Sequence, residues 1–193
     1  MLFRSSGKKF INLGICPTPA IPFLIKQEKM SSGIMISASH NEHSDNGIKF
    51  FGPDGYKLSD SVELEIEALV SKGIGYVSPE DIGRAKRIDD GRYRYIERVK
   101  SSFPNQMRLD GLKVVIDCAN GAGYKAAPEV LWELGAEVIP VGVSPDGRNI
   151  NLECGSTSPT VAAETVVAHG ADLAICLDGD ADRVLIIDEY GRP

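Results

Sequence analysis

Long apolar runs are missing from this chain: nothing in its 193 residues approaches the ~20 consecutive apolar positions of a membrane-spanning helix. The opening MLFRSSGKKF has neither an apolar centre nor a small-residue cleavage site, so no secretory signal is expected there. Cysteine is scarce. Cys16, Cys118, Cys154 and Cys176 include no C-x-x-C pair and have no histidine at zinc-finger spacing. They are expected as small buried hydrophobes in a reducing compartment. Positive charge is also in short supply: 21 basic against 27 acidic residues leave a formal charge of -6. The densest basic cluster, residues 84–87, is too short to reverse that, so neither nucleic acid nor an anionic membrane is expected as a partner. A cytoplasmic location follows as the expectation.

What is present is ordinary for a globular chain, with 42% apolar and 25% charged residues and enough length for a real core without metal or disulfide staples. KFIN (residues 9–12) is a short strand candidate. In CPTPAIPFL (16–24), Pro17, Pro19 and Pro22 permit a turn and the first turn of a helix but exclude a central strand. GIMIS (33–37) is the next strand. Val62, Ile66, Leu69 and Val70 then recur at helical spacing behind Ser59, Asp60 and Ser61 as candidate caps, with Gly73 and Gly75 ending that helix. Tyr95, Ile96, Val99 and Phe103 mark a second helix closed by Pro104.

The polar stretch PNQMRLDG (104–111) is the candidate boundary, dividing the chain into residues 1–105 and 106–193. Beyond it strands and helices alternate. LKVVIDCA is a buried strand, 124–134 a helix stopped by Gly135, and EVIPVGV a strand. A helix from about Pro159 follows, with Ser158 as its expected cap and Gly170 as its end. DLAICLD and RVLIIDEYG are the last strands. The alternation predicts an α/β fold. The final EYGRP reads as a turn entered and not completed, which raises the expectation of a chain cut short.

Two loops have the composition for chemistry. In MISASHNEHSDNGIKF (35–50), a serine at the end of a strand is placed for nucleophilic attack, with Lys49 or His40 available to move its proton. The plainer reading of the same residues is a polar turn. His40 and His43 lack the H-E-x-x-H arrangement, which argues against zinc. In LDGDADRV (177–184), Asp178, Asp180 and Asp182 follow an apolar strand at spacings of two. Three carboxylates so close repel one another unless a cation joins them, and all-oxygen ligands favour magnesium or calcium over zinc. The plainer reading is an exposed acidic turn. An EF-hand loop is excluded although Glu189 falls at its twelfth position, because Arg183 occupies the sixth, where that loop needs glycine. Magnesium beside Arg183 is a phosphate site in outline: the metal leaves positions open for substrate oxygens and the guanidinium offers them a planar fork. A phosphatase with an aspartate nucleophile also shows D-x-D after a strand, but that reading leaves the serine loop unexplained.

SASHN…DNGIKFFGPDGYKL together with DGDADR resembles the α-D-phosphohexomutases, over essentially the whole chain. DNGIKFF and NINLECGST (from Asn149) are more similar to the glucosamine branch than to the glucose or mannose branches. The resemblance implies two three-layer α/β/α domains with mixed sheets, the first incomplete at its N-terminus. It implies that Ser39, not Ser37, is phosphorylated and passes its phosphoryl group to glucosamine 6-phosphate. The resulting bisphosphate, also the expected activator, turns in the site and returns its other phosphate, releasing glucosamine 1-phosphate for cell-wall precursor synthesis. By the same resemblance Asp178, Asp180, Asp182 and a phospho-Ser39 oxygen hold Mg2+. Lys49 is the general acid/base, His40 an accessory catalytic group and Arg183 a phosphate contact. Full-length relatives have four domains, and pairing of two full-length copies is a partner expectation. Here the glycine-rich N-terminal segment, the third-domain sugar loop and the fourth-domain phosphate loop have no counterpart, so little turnover is expected from this chain alone. Glu42 also stands where the family usually has proline, which predicts a looser loop. The runner-up readings are a phosphoglucomutase or phosphomannomutase, and an inactive fragment.

Overall fold

A computed structural model describes residues 5–73 and 75–193. Its first half is built around a helix that the proline-rich segment introduces. After Pro17 and Pro19, α1 runs over Ala20–Glu28, with Pro22 in its first turn, where a missing N–H costs no hydrogen bond. The sequence reading allowed only a first turn there; the helix continues because Ile21, Leu24 and Ile25 carry a buried stripe beyond the proline. Lys29, in a left-handed conformation at φ 51°, ends it by donating its N–H to the Ile25 carbonyl. The core here joins Cys16, Ala20, Ile21, Ile25 and Phe51.

Two small sheets belong to this half, one of them packed on α1 through its first strand. β1 (Phe10–Asn12) pairs in parallel with β4 (Ala85–Arg87), and β2 (Gly33–Ser37) pairs antiparallel with β3 (Gly47–Phe51), Met35 facing Lys49. Gly33 lets β2 lie against the helix, since a Cβ there would stand 2.6 Å from Ile25 Cδ1. Neither β3 nor β4 was anticipated, because GIKFF has no clean alternation and AKR no apolar residue beyond alanine. The helical period after residue 59 appears as α2 (Asp60–Val70), but no residue of it is buried and Leu64, Leu69 and Val70 are exposed. Ser59 occupies the N-cap position without capping; its hydroxyl meets that of Ser61 at 2.9 Å.

α3 (Gly91–Lys100) joins the two halves, packing on α1 and on α4 (Ala126–Glu133), with Ile96 fully buried. It starts earlier than Tyr95 and ends before Phe103, which lies in a following turn. Arg94 pairs with Glu28 at 2.6 Å on one side, and Lys100 pairs with Glu133 on the other. The second half is a four-stranded mixed sheet in the order β6 (Glu137–Val141), β5 (Lys113–Asp117), β7 (Leu173–Leu177), β8 (Val184–Asp188). Only β8 runs antiparallel to its neighbour. α5 (Thr160–His169) seals one face through Ala162 and Val166, packed on Val115, Ala174, Cys176 and Ile187. Its expected Ser158 cap is not made: Pro159 holds the N-cap position and no side chain caps the turn, while Gly170 at φ 56° ends the helix as expected.

The closing EYGRP is held as a turn by Asp188. Asp188 Oδ1 accepts from the N–H groups of Tyr190 (3.0 Å) and Arg192 (2.9 Å), and Arg192 Nε adds a bond to Oδ2 at 2.8 Å. All four cysteines are buried and unpaired. Burial pushes the Cys16 thiol up to about 11 and, with the charge of Asp117 added, those of Cys118 and Cys176 to about 12, so they are packing groups and not nucleophiles. No helix among the described residues is long and apolar enough to cross a membrane.

Candidate active site

The C-terminal ends of two strands bring the two polar loops together. β2 delivers Ser39 and β7 delivers Asp178, and the loops meet in space although about 140 residues separate them in sequence. The Ser39 hydroxyl donates to Asp180 Oδ1 at 3.3 Å, and its backbone N–H is held by Ser37 Oγ at 2.9 Å. Ser39 has φ 54°, a left-handed conformation that a serine keeps only where its surroundings hold it. Glu42 is exposed, and the loop is braced without the proline. The Asn41 amide donates to Asp45 at 2.8 Å, Asn46 to the His43 carbonyl at 2.8 Å, and the Asp45 N–H to the Glu42 carbonyl at 3.0 Å.

The acidic loop folds back on itself. Asp178 and Asp180 are fully buried, and one oxygen from each of Asp178, Asp180 and Asp182 lies within 4.8 Å of the others. Asp178 Oδ1 accepts from the N–H groups of Asp182 (3.1 Å) and Arg183 (3.2 Å), while its Oδ2 is buried with no hydrogen-bond partner. Asp180 Oδ2 accepts from Thr18 Oγ1 (2.8 Å) and Lys49 Nζ (2.5 Å), and Lys49 also reaches Asp182 at 2.9 Å. Burial, and then the charge of Asp180, raise the Asp178 carboxyl above the usual carboxylate range. Burial acts on Asp180 in the same direction, but hydrogen bonds from Lys49 and Thr18 overcome it and hold Asp180 below that range. Burial pulls Lys49 down, and its bonds to Asp180 and Asp182 more than reverse that.

These donors fit a hard divalent cation. They are all oxygens, they converge, and Asp178 Oδ2 is buried without a hydrogen-bond partner, which leaves it free to act as a ligand. Of the residues singled out from the sequence, Ser39, Lys49, Asp178, Asp180 and Asp182 are brought together in one cluster. His40 stands apart from that cluster, its side chain exposed and without a hydrogen bond to any described residue. Arg183 likewise points outward, 58% exposed, 4.0 Å from Asp182.

Three contributors escaped the sequence reading. Thr18 binds Asp180 through both its hydroxyl and its N–H, the latter at 2.9 Å to the Asp180 carbonyl. Asn151 donates to the carbonyls of Ser39 (2.9 Å) and Asn41 (2.7 Å). Gly179 lies under the serine loop, where a Cβ would stand 2.5 Å from the Ser39 carbonyl oxygen and 2.6 Å from Ile150 Cδ1. Gly179→Ala is therefore expected to lift the serine loop from the acidic loop and to lower stability by about 1–3 kcal/mol, read as a shift in urea midpoint with unchanged slope. An unshifted midpoint would show that the two loops tolerate separation.

The pattern of phosphoglucomutase/phosphomannomutase alpha/beta/alpha domain I matches residues 2–76, and that of domain II matches residues 93–191, just over half the chain. The chain belongs to the phosphoglucomutase/phosphomannomutase family. It is 68% identical to phosphoglucosamine mutase of Ruegeria sp. strain TM1040 across 97% of its own length. It spans only 42% of that relative. A phosphoglucomutase/phosphomannomutase family protein from Burkholderia thailandensis has the same fold, at TM-score 0.76 and 22% identity over 98% of this chain and 42% of that one. An Aspergillus fumigatus N-acetylphosphoglucosamine mutase, solved with GlcNAc-6P and magnesium, aligns at TM-score 0.50 and 19% identity over 90% of this chain and 48% of that one. The α/β fold expected from the sequence is the fold of these family members.

Proposed function

We propose that this chain carries the phosphoserine and metal half of a phosphoglucosamine mutase, which interconverts glucosamine 6-phosphate and glucosamine 1-phosphate through a sugar bisphosphate. The chain comprises the latter part of domain I followed by domain II, whose pattern begins at residue 93, ahead of the division into residues 1–105 and 106–193 expected from the sequence. The observation that carries the reading is the Ser39 hydroxyl hydrogen-bonded into a buried acidic cluster in a chain 68% identical to a phosphoglucosamine mutase. The cytoplasm suits unpaired buried cysteines and a phosphosugar substrate.

Serine is a weak nucleophile and a phosphoserine a sluggish donor, so the neighbours supply the catalysis. Lys49, 2.5 Å from Asp180, is the proton carrier: its ammonium gives a proton to the departing Ser39 oxygen, and the neutral amine left behind is restored by the proton that the sugar hydroxyl loses. Asp178, Asp180 and Asp182, with an oxygen of phospho-Ser39, would hold Mg2+, and magnesium when bound supplies charge stabilisation at the transferring phosphoryl group. Arg183 is exposed at the rim of the site, where its guanidinium meets the phosphate of the arriving sugar; His40 serves the same open side as an accessory group. The left-handed Ser39 backbone keeps the hydroxyl turned toward this machinery before substrate arrives.

Incubating the chain with glucose 1,6-bisphosphate and Mg2+, then mapping phosphopeptides, is expected to place one phosphate on Ser39. Phosphate on another residue, or none, would overturn the assignment. Glucosamine 6-phosphate is expected to be converted slowly or not at all by these 193 residues, because remote binding energy is what raises turnover. Turnover at a rate typical of enzymes, read by coupled assay, would show that this half suffices.

A further inference from the structure

The serine loop touches the second half of the chain at more than the acidic cluster. Asn151 sits on the loop between β6 and α5, 8% exposed, with both amide hydrogens of its side chain spent on the serine loop: Nδ2 donates to the Ser39 carbonyl at 2.9 Å and to the Asn41 carbonyl at 2.7 Å. The amide cannot be turned round, because its oxygen would then face two carbonyl oxygens; as placed, Oδ1 is buried without a partner. A buried acceptor left unsatisfied is unfavourable, and the two bonds that Nδ2 makes offset that cost.

The platform behind Asn151 is rigid. Its N–H donates to the Ala119 carbonyl at 2.9 Å, and its own φ of 56° is a left-handed conformation that asparagine accepts more readily than most residues. Opposite, Gly179 leaves room for the Ser39 carbonyl to descend. Ser39 is thus held at two ends: its hydroxyl on Asp180, its carbonyl on Asn151. This clamp on the carbonyls of residues 39 and 41 restrains the peptide planes between them, and so fixes the backbone position from which the Ser39 hydroxyl reaches Asp180.

We propose that Asn151 is a positioning residue for phosphoryl transfer, acting through the Ser39 backbone to hold the hydroxyl in line with the acidic cluster. The role rests on the function proposed above. It makes no contact with the reacting atoms, so its loss slows transfer without weakening donor or metal binding. Misplacement of a reacting group by about 1 Å costs up to about a hundredfold in rate.

The test uses the 193-residue chain with Asn151→Gly, which keeps the left-handed backbone and removes both bonds, and Asn151→Asp, which keeps the shape and turns a donor into a repelling carboxylate. The initial rate of Ser39 phosphorylation by glucose 1,6-bisphosphate is expected to fall about 10- to 100-fold in both. The half-saturating bisphosphate concentration and the Mn2+ titration midpoint are expected to stay within about twofold of the parent, since the acidic cluster and Arg183 are untouched. Amide hydrogen exchange at residues 38–42 is expected to rise about tenfold or more, with the central strands β5 and β7 unchanged as a control on folding. A rate within twofold of the parent overturns the role, and so does a fall matched by an equal rise in half-saturation. If the parent itself takes up no phosphate, it is the proposed function that fails. The exchange data then decide the clamp alone: faster exchange confined to 38–42 supports it, and unchanged exchange overturns it.

Discussion

Ser39→Ala is expected to lower phosphate uptake from glucose 1,6-bisphosphate by at least about a thousandfold, whereas Ser37→Ala retains uptake within a few fold of the parent. The two serines stand two residues apart and differ in what their hydroxyls face. Ser37, the last residue of β2, receives the Ser39 N–H on its Oγ and so serves the turn. Ser39 directs its hydroxyl to Asp180, the most heavily contacted carboxylate of the cluster. Deleting Ser37 Oγ removes one hydrogen bond, of the order of 1 kcal/mol, which loosens the turn without removing the acceptor. Deleting Ser39 Oγ removes the atom that bonds to phosphorus, and no neighbouring hydroxyl occupies its place. Intact mass against time, followed by peptide mapping, reads both variants in one experiment. Equal loss in the two would mean that the turn, not the acceptor, limits the reaction; persistent uptake in Ser39→Ala would transfer the role to another residue.

The parts of this site that the sequence shows are those where chemistry and local order coincide. Three aspartates at spacings of two between apolar strands are conspicuous because their repulsion needs an explanation, and β7 and β8 do frame them. The serine loop is conspicuous because GIMIS has strand character and ends abruptly in polar residues, and β2 ends at Ser37. Thr18, Gly179 and Asn151 were not conspicuous, since each acts only through a partner at least 110 residues away: Thr18 through Asp180, Gly179 and Asn151 through the Ser39 carbonyl. A proline-flanked threonine, a glycine among aspartates and one asparagine in NINLECGST carry no local signal of such contacts.

The same distinction governs the fold. Buried strands such as KVVID announce themselves through continuous apolar character, whereas β4, with sequence AKR and every residue exposed, exists only because β1 pairs with it. α2 marks the limit of periodicity as evidence. Its 3.6-residue apolar pattern is real, yet no residue of it is buried, because periodicity reports a face and not what covers it.

Asp180→Asn is the substitution expected to separate metal binding from folding. Asp180 joins three distant segments, accepting from Thr18, Ser39 and Lys49, and it is fully buried. Without a cation, two effects of opposite sign arise. The amide loses the ionic bond to Lys49, itself partly screened because the lysine side chain is 28% exposed, but it also relieves the repulsion that Asp180 exerts on buried Asp178. Metal-free stability is therefore expected to change by no more than about 1–2 kcal/mol. With a cation the effects no longer oppose, because an amide oxygen is a weaker, uncharged ligand and the site loses one of three carboxylates. Outer-shell changes at metal sites already cost 10- to 100-fold, so replacing a ligand is expected to weaken Mg2+ or Mn2+ binding about a hundredfold or more, about 2.7 kcal/mol. Since a ligand that binds only the folded state stabilises it, the parent's melting temperature should climb with metal concentration while the variant's stays nearly flat over the same range. Calorimetric titration and metal-dependent melting measure the two quantities independently. Equal metal dependence in parent and variant would place the cation away from Asp180, leaving Lys49 as the sole counter-charge of that carboxylate.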